Sequence, residues 1–152
     1  MIRYVLAVLL TVALLALAIP AVDHGSYVNS KQQIESDVAA IDKAATSLVE
    51  QEEPSPEGHP PPRRTLTVTL PEDSLTSTAV DNFEIERYGS ASVASFYFEG
   101  KTENQIGMDQ PIVYGSADGN ETVEFGGTGR QRIALTLEED PSGEPVVVVN
   151  YV

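Results

Sequence analysis

An almost unbroken apolar run opens the chain and limits what the chain can fold into. Residues 4–19, YVLAVLLTVALLALAI, contain one polar side chain, that of Thr11. As a helix rising ~1.5 Å per residue, the run extended to Val22 measures roughly 28 Å, close to the ~30 Å thickness of a hydrocarbon core. A small domain built from the rest of the chain could not bury such a helix. The run therefore predicts a transmembrane anchor over residues 1–22.

The charges that flank the apolar run predict its orientation. Arg3 precedes the run and Asp23 follows it. By the positive-inside rule the N-terminus is then cytoplasmic and the C-terminal domain extracellular, in a single-pass protein of the cell membrane. A cleaved signal peptide is the alternative, because residues 16–18 match an A-x-A site, and cleavage after Ala18 would give a secreted protein. The brief Met-Ile-Arg start and the continuing helical pattern described next favour a retained anchor.

The residues after the run repeat with the period of one helix face. This stripe consists of Tyr27, Ile34, Val38, Ile41, Ala45 and Leu48, at spacings of 7, 4, 3, 4 and 3 residues. Counting back from Ile34 by a multiple of seven reaches Pro20, so the stripe continues the helical phase of the apolar run. An extracellular amphipathic helix is predicted over residues 23–53, because Pro54 prevents its continuation.

Two local features leave the geometry of this helix open. Pro20 predicts a kink in one long helix, because its ring removes a hydrogen bond to the preceding turn. Ser30 and Gln33 instead match a capping box, which would begin a separate helix after a break at Gly25. The sequence is thus compatible with one kinked helix or with two helices joined over residues 23–29.

The second half of the chain changes to a period of two. Residues 54–62, PSPEGHPPP, hold five prolines in nine positions and predict a semi-rigid linker. The alternation of residues 65–70, TLTVTL, predicts a first strand after it. Further strands are predicted over residues 83–88, 92–99, 111–114, 121–125, 130–138 and 145–152. The fold class is therefore α+β: an N-terminal transmembrane and amphipathic helix, then an all-β head over residues 63–152, an antiparallel β-sandwich or partly open barrel.

Charge and cysteine content exclude several classes of function. The chain has 23 acidic and 9 basic residues, a net charge of −14, and no Cys. A negative field repels phosphate, which excludes nucleic acid as a partner. Without Cys there is no disulfide, thiol nucleophile or thiolate metal site. Scattered acidity with few lysines predicts a protein that stays hydrated in concentrated salt, as in halophilic archaea.

Motifs that would carry catalysis are missing. His24 and His59 form no metal-binding or triad pattern, and the glycines of residues 126–129 precede a predicted strand rather than a helix, which favours a hairpin turn. We therefore predict a protein that is not an enzyme, with no catalytic, cofactor-binding or metal-binding residues. One modification signal is present, because Asn120 begins an N-x-T sequon in a predicted extracellular turn and is a candidate for N-glycosylation.

The order of these segments resembles that of type IV pilins and pseudopilins, and of uncharacterised haloarchaeal exported proteins. A membrane helix with a kink proline, here Pro20, is prolonged outside as an amphipathic helix and followed by a small all-β head. Val5 and Leu6 occupy the region where bacterial pilins carry a glutamate that pairs with a neighbouring subunit. The resemblance thus implies an accessory, pilin-like component of a pilus or secretion assembly that keeps its N-terminus.

Two uses of the helical stripe follow from this reading. Partner helices of the assembly could bury it, so that membrane and protein partners both meet the chain through its N-terminal helix. Alternatively the stripe packs on the sheet of its own head. A second function is also open, in which the β-sandwich is a tethered or secreted binding module for a surface ligand or protein.

Overall fold

In a computed structural model that describes residues 1–56 and 58–152, the chain forms one helix and eight strands over these residues. Glu57, inside the predicted linker, lies outside the described residues. The elements are α1 (Ile2–Gln51), β1 (Arg63–Leu70), β2 (Val80–Tyr88), β3 (Ala91–Phe98), β4 (Asn104–Met108), β5 (Ile112–Tyr114), β6 (Thr122–Glu124), β7 (Gly129–Glu139) and β8 (Pro145–Tyr151). The predicted α+β class, a long N-terminal helix followed by a β domain, is confirmed.

The helix α1 is continuous. It passes through Pro20, whose missing N–H leaves the carbonyl of Ala16 without its usual helical partner. Of the two geometries that the sequence left open, the single helix is therefore correct and the break at Gly25 is wrong, because the capping-box side chains bind elsewhere. Ser30 Oγ accepts a hydrogen bond from the backbone N–H of Thr78 at 2.7 Å, and Gln33 lies within the helix with its neighbours. The kink expected at Pro20 stays a prediction.

The strands form two four-stranded sheets within the described residues, in the orders β1-β7-β8-β5 and β4-β3-β2-β6. Neighbouring strands run antiparallel, apart from β5, which pairs in parallel with β8. The sheets do not close into a barrel, so of the two predicted architectures the sandwich is correct. Strand β4 was not predicted, since its sequence NQIGM lacks an alternating apolar pattern.

The period of two places one face of each strand in a shared core. In β1, Val68 and Leu70 are buried and alternate with threonines. Phe83 and Phe96 from the other sheet join the same core, their rings edge to face with centroids 6.4 Å apart. Strand β8 is apolar on both faces, because Val148 is buried in a smaller cluster on the opposite side of its sheet.

The helix fills the open side of the sandwich. At one side of the molecule β5 and β6, the last strands of their sheets, contact each other. At the other side the sheets end in β1 and β4, and α1 contacts both of these strands as well as β7 and β8. The helix therefore acts as a third wall of the core between the two sheet edges.

This arrangement decides how the stripe is used. Ile34, Val38, Ile41, Ala45 and Leu48 are at most 1% exposed and belong to the common core, and half-buried Tyr27 packs against it. The Tyr27 ring meets Phe98 edge to face at 5.4 Å. The hypothesis that partner helices bury the stripe is therefore wrong, because the chain's own sheets already cover it.

An ion pair joins the two sheets at the end of the sandwich. Arg87, near the end of β2, donates from Nη2 to Asp140 Oδ2 at 3.0 Å, in the turn between β7 and β8. The other oxygen of Asp140 accepts the backbone N–H groups of Ser142 and Glu144. The Arg87 guanidinium and these N–H groups hold the pKa of the Asp140 carboxyl below its ordinary value.

Candidate functional site

The first half of α1 is apolar on every side apart from Arg3 and Thr11, and none of its residues belongs to the core of the β domain. We call residues 2–22 the anchor segment. Leu10 is 64% exposed and Leu17 73% exposed, whereas Ile41 in the second half is fully buried. At ~1.5 Å per residue the 21 residues of the anchor segment span roughly 31 Å, about the thickness of a hydrocarbon core. The helix is long and apolar enough to cross a membrane, a property that an N-terminal signal sequence shares.

The anchor segment forms a large continuous apolar surface that the rest of the chain does not bury. Soluble monomers rarely expose contiguous apolar patches larger than a few hundred Å². Here the large side chains from Ile2 to Ile19 are all more than half exposed, and Val22 is 46% exposed. Such a surface is compatible with a single-pass membrane anchor or with a signal sequence.

Polar contacts begin where the anchor segment ends. Ser26 Oγ lies 3.1 Å from Thr78 Oγ1, and the side-chain amide of Asn29 donates to the Thr76 carbonyl at 2.9 Å. Together with the bond from the Thr78 N–H to Ser30, they tie α1 to residues 71–79, which connect β1 to β2 and which we call the edge loop. The helix is thus fixed to the β domain over the first two turns or so after the anchor segment.

Farther along, α1 pairs with the free edges of both sheets. Asp37 Oδ2 accepts the backbone N–H of Thr69 in β1 at 2.8 Å, and Asp42 Oδ1 accepts that of Asp109, just after β4, at 3.1 Å. At the end of the helix Glu52 pairs with Arg64 at 3.0 Å. Side chains of the helix thus occupy edge positions where a further strand could otherwise pair.

Asp37 is the charged group that this packing affects most. Burial raises the pKa of the Asp37 carboxyl. Two hydrogen bonds partly oppose that rise in pKa: one from the Thr69 N–H, and one from the Gln33 side-chain amide at 3.3 Å. The sequence pattern did not identify Asp37, although it lies beside Val38 and faces the core. Asp37 could have been identified from the sequence because it lies three residues after Ile34 and four before Ile41, so it is a polar residue on the face of an otherwise apolar stripe.

The two histidines lie apart. His24 is exposed on α1, and His59 lines a hollow of about 560 Å³ between the proline linker and the end of β7. In the part of the chain that the structure describes, no three His, Asp or Glu side chains come together as a metal site. The hairpin predicted at the glycines of residues 126–129 is wrong, because these residues connect β6 of one sheet to β7 of the other sheet, and β6 pairs with β2 instead.

The sequon lies in a shallow depression on the surface of the head. Asn120 is exposed and shares a depression of about 260 Å³ with Tyr114, Thr122, Glu124 and Tyr151. Its side-chain carbonyl accepts the backbone N–H of Thr122 at 3.1 Å, which fixes the turn. The two tyrosine rings lie with centroids 6.0 Å apart, and burial raises the pKa of Tyr151.

Fold and helix together define a class of protein. Its β-sandwich head is completed by the second half of one long helix, and the apolar first half of that helix lies outside the core of the head. The family model described as a domain of unknown function (DUF7311) matches residues 1–152, and the chain belongs to that family. The match includes the anchor segment as well as the head. Searches of curated proteins and of solved structures each give no match.

Proposed function

We propose that this protein is a non-enzymatic, single-pass membrane protein whose β head stands outside the cell, as an accessory, pilin-like component of a pilus or secretion assembly. The observation that carries the proposal is the division of α1. Its first half is an exposed apolar rod, and its second half is part of the core of the head. A pilin-like subunit is expected to divide its helix in this way, into a membrane-spanning part and a part that belongs to the head.

The continuity of the helix supports a mechanical role. Because α1 runs without interruption from Ile2 to Gln51, the head has no flexible tether at the membrane exit. The contacts of Ser26, Asn29 and Ser30 fix the edge loop to the helix within about two turns of Val22, the last residue of the anchor segment. A head held in this way is oriented by its anchor, which suits a subunit that must present a fixed surface to its neighbours.

The partner surface in this proposal differs from the buried stripe. Two surfaces of α1 are free to meet another helix: the anchor segment within the bilayer, and the outer face of the second half, where Ala39 and Ala40 are exposed. Small residues allow helices to approach closely. The head's acidity is consistent with a halophilic archaeal source, which we retain as a prediction.

Site-specific photo-crosslinking tests the assembly role. A benzophenone amino acid is placed at Leu10 in the anchor segment or at Ala40, with Ser90, in the exposed turn between β2 and β3, as the matched control. We expect a discrete protein adduct from Leu10 or Ala40 in native membranes and none from Ser90. Adducts from Ser90 alone would contradict a helix-mediated assembly.

N-terminal sequencing separates the anchor from a signal peptide. Contacts with the head begin at Ser26, so cleavage after Ala18 would leave the core of the domain complete. The head can therefore fold with either N-terminus. We expect the mature, membrane-bound protein to begin near Met1; a mature chain beginning at Ile19 would favour secretion.

The hollow beside Asn120 favours a second candidate function, a tethered binding module. Tyr114 and Tyr151 are 39% and 43% exposed, and Glu124 supplies a carboxylate beside them. Exposed aromatic rings with polar neighbours are typical of ligand sites. A glycan on Asn120 would occupy the same hollow, so glycosylation and ligand binding there exclude each other.

Mass spectrometry of the native protein tests this pair of alternatives. An Asn120 peptide that carries a glycan would contradict the binding module and support the modification. An unmodified peptide leaves the hollow open. In that case Tyr114→Ala should abolish retention of the protein on its native cell surface after the anchor segment is removed, whereas Tyr88→Ala, an exposed tyrosine elsewhere on the head, should not.

A further inference from the structure

One large apolar side chain of the head is exposed close to the end of the anchor segment. Leu75, in the edge loop, is 85% exposed. It lines a hollow of about 300 Å³ together with Val22, Gly25, Ser26 and Asn29 of the helix. Leu75 therefore lies beside the turn of α1 where the apolar surface gives way to Asp23 and His24.

Hydrogen bonds hold the edge loop in one shape. The Ser74 N–H donates to the Ser77 carbonyl at 2.9 Å, and Ser77 Oγ donates to the Glu72 carbonyl at 2.5 Å. The Asp73 carboxylate accepts the Ala79 N–H at 2.7 Å. With the bonds from the helix to Thr76 and Thr78, these contacts present Leu75 at the tip of an ordered loop.

We infer that Leu75 inserts into the interfacial layer of the bilayer and gives the head a second contact with the lipid surface. The inference rests on the proposed function, since it requires the anchor segment to span the membrane. If Val22 lies at the boundary of the hydrocarbon core, Leu75 lies at the same depth because the two side chains border one hollow. The Leu75 side chain then extends the apolar surface of the anchor segment in the plane of the bilayer.

The charges of the loop select the kind of lipid. Residues 71–79 contain Glu72 and Asp73 and no Lys or Arg. Negative charge beside the inserting residue is repelled by anionic headgroups. The partner surface is therefore one of zwitterionic headgroups, such as phosphatidylcholine vesicles. Two contacts, one through the helix and one through Leu75, fix the rotation of the head about the helix axis, which a single helix cannot do.

The absence of Cys from the chain makes the test direct, because one introduced thiol can be labelled alone. The full chain is reconstituted in phosphatidylcholine vesicles with an environment-sensitive fluorophore (NBD) on Leu75→Cys. Leu10→Cys reports on the anchor segment. Ser90→Cys is the control, because β2, at ~3.3 Å per residue, places its turn roughly 30 Å from the edge loop.

We expect blue-shifted emission and quenching by shallow nitroxide lipids for the label at Leu75, deep quenching at Leu10 and neither effect at Ser90. Including phosphatidylglycerol should reduce the quenching at Leu75. Quenching at Leu10 without quenching at Leu75 would overturn this inference and leave the membrane span intact. Absence of quenching at both positions would overturn the span and the inference together.

Discussion

The two halves of α1 are made of similar apolar residues and have opposite surroundings. In the anchor segment the large side chains point in every direction and remain exposed. In the second half they occupy one stripe, which the sheets of the head bury fully from Ile34 to Leu48 and in part at Tyr27. The difference shows that the distribution of apolar residues around a helix decides what covers it. A one-sided stripe fits one wall of a domain, whereas an all-round apolar surface is suited to an apolar medium outside the chain.

The largest test of this contrast is Ile41→Asp, in the buried half. The change places a carboxylate in the fully buried core and removes about 2–5 kcal/mol of packing before the cost of burying a charge. We expect the head to lose its cooperative urea transition, measured by circular dichroism in detergent. A variant that keeps a wild-type transition would show that the stripe is not part of the core.

In the anchor segment the matched change, Leu10→Asp, should act on the membrane and not on the fold. A charged residue at the centre of a spanning helix costs about 2.5–3.5 kcal/mol of insertion free energy. The fraction of protein that stays in the membrane pellet after an alkaline wash should fall, while the urea midpoint of the head should not move. Leu10→Phe is the apolar control, and a shifted midpoint for Leu10→Asp would contradict the separation of the halves.

At the junction between the halves, Ser30→Ala should have a smaller effect. The Ser30 side chain is 1% exposed, and its loss leaves the Thr78 N–H without its partner. An unpaired donor costs about 1–3 kcal/mol when it is fully buried, and because Thr78 is half-buried we expect a fall in the urea midpoint toward the lower end of that range. Ser36→Ala, on the exposed face of the same helix, should leave the midpoint unchanged. Because Ser→Ala changes helix propensity alike at both positions, equal midpoints of the two variants would show that the Ser30–Thr78 hydrogen bond does not contribute to stability.

The smallest expected effect is a change of pH dependence. Because the pKa of Asp37 is raised by burial, its contribution to stability is present below about pH 4 and is lost as the pH rises through the folded-state pKa. Asp37→Asn keeps an acceptor for the Thr69 N–H and should gain stability relative to wild type from pH 4 to pH 7. Urea midpoints across this range measure the difference.

Asp140 supplies a control of opposite sign. Its pKa is lowered by Arg87, so its contribution is present above about pH 4 and is lost as the pH falls through the folded-state value. Asp140→Asn should therefore be less stable than wild type at pH 7 and approach it in acid. Parallel pH profiles for the two variants would contradict the assignment of burial as the cause at Asp37.

The sequence was most informative where one periodicity ran through a whole segment. The apolar run, the stripe from Tyr27 to Leu48 and the alternation in β1 each predicted an element that the structure contains. Strand β4 was missed, because three of its five residues are polar or glycine and its place comes from pairing with β3. The capping box was misleading, since Ser30 binds a residue 48 positions away in the chain.

By itself the sequence determined the apolar rod, the amphipathic helix, the β head and their order, because helix and strand periods are local properties of the chain. Only the tertiary structure decided that the helix is continuous, that the head's own sheets bury the stripe, and that Leu75 lies beside the end of the anchor segment. Each of these depends on contacts between residues far apart in the sequence, and a local period contains no information about which distant surface will meet it.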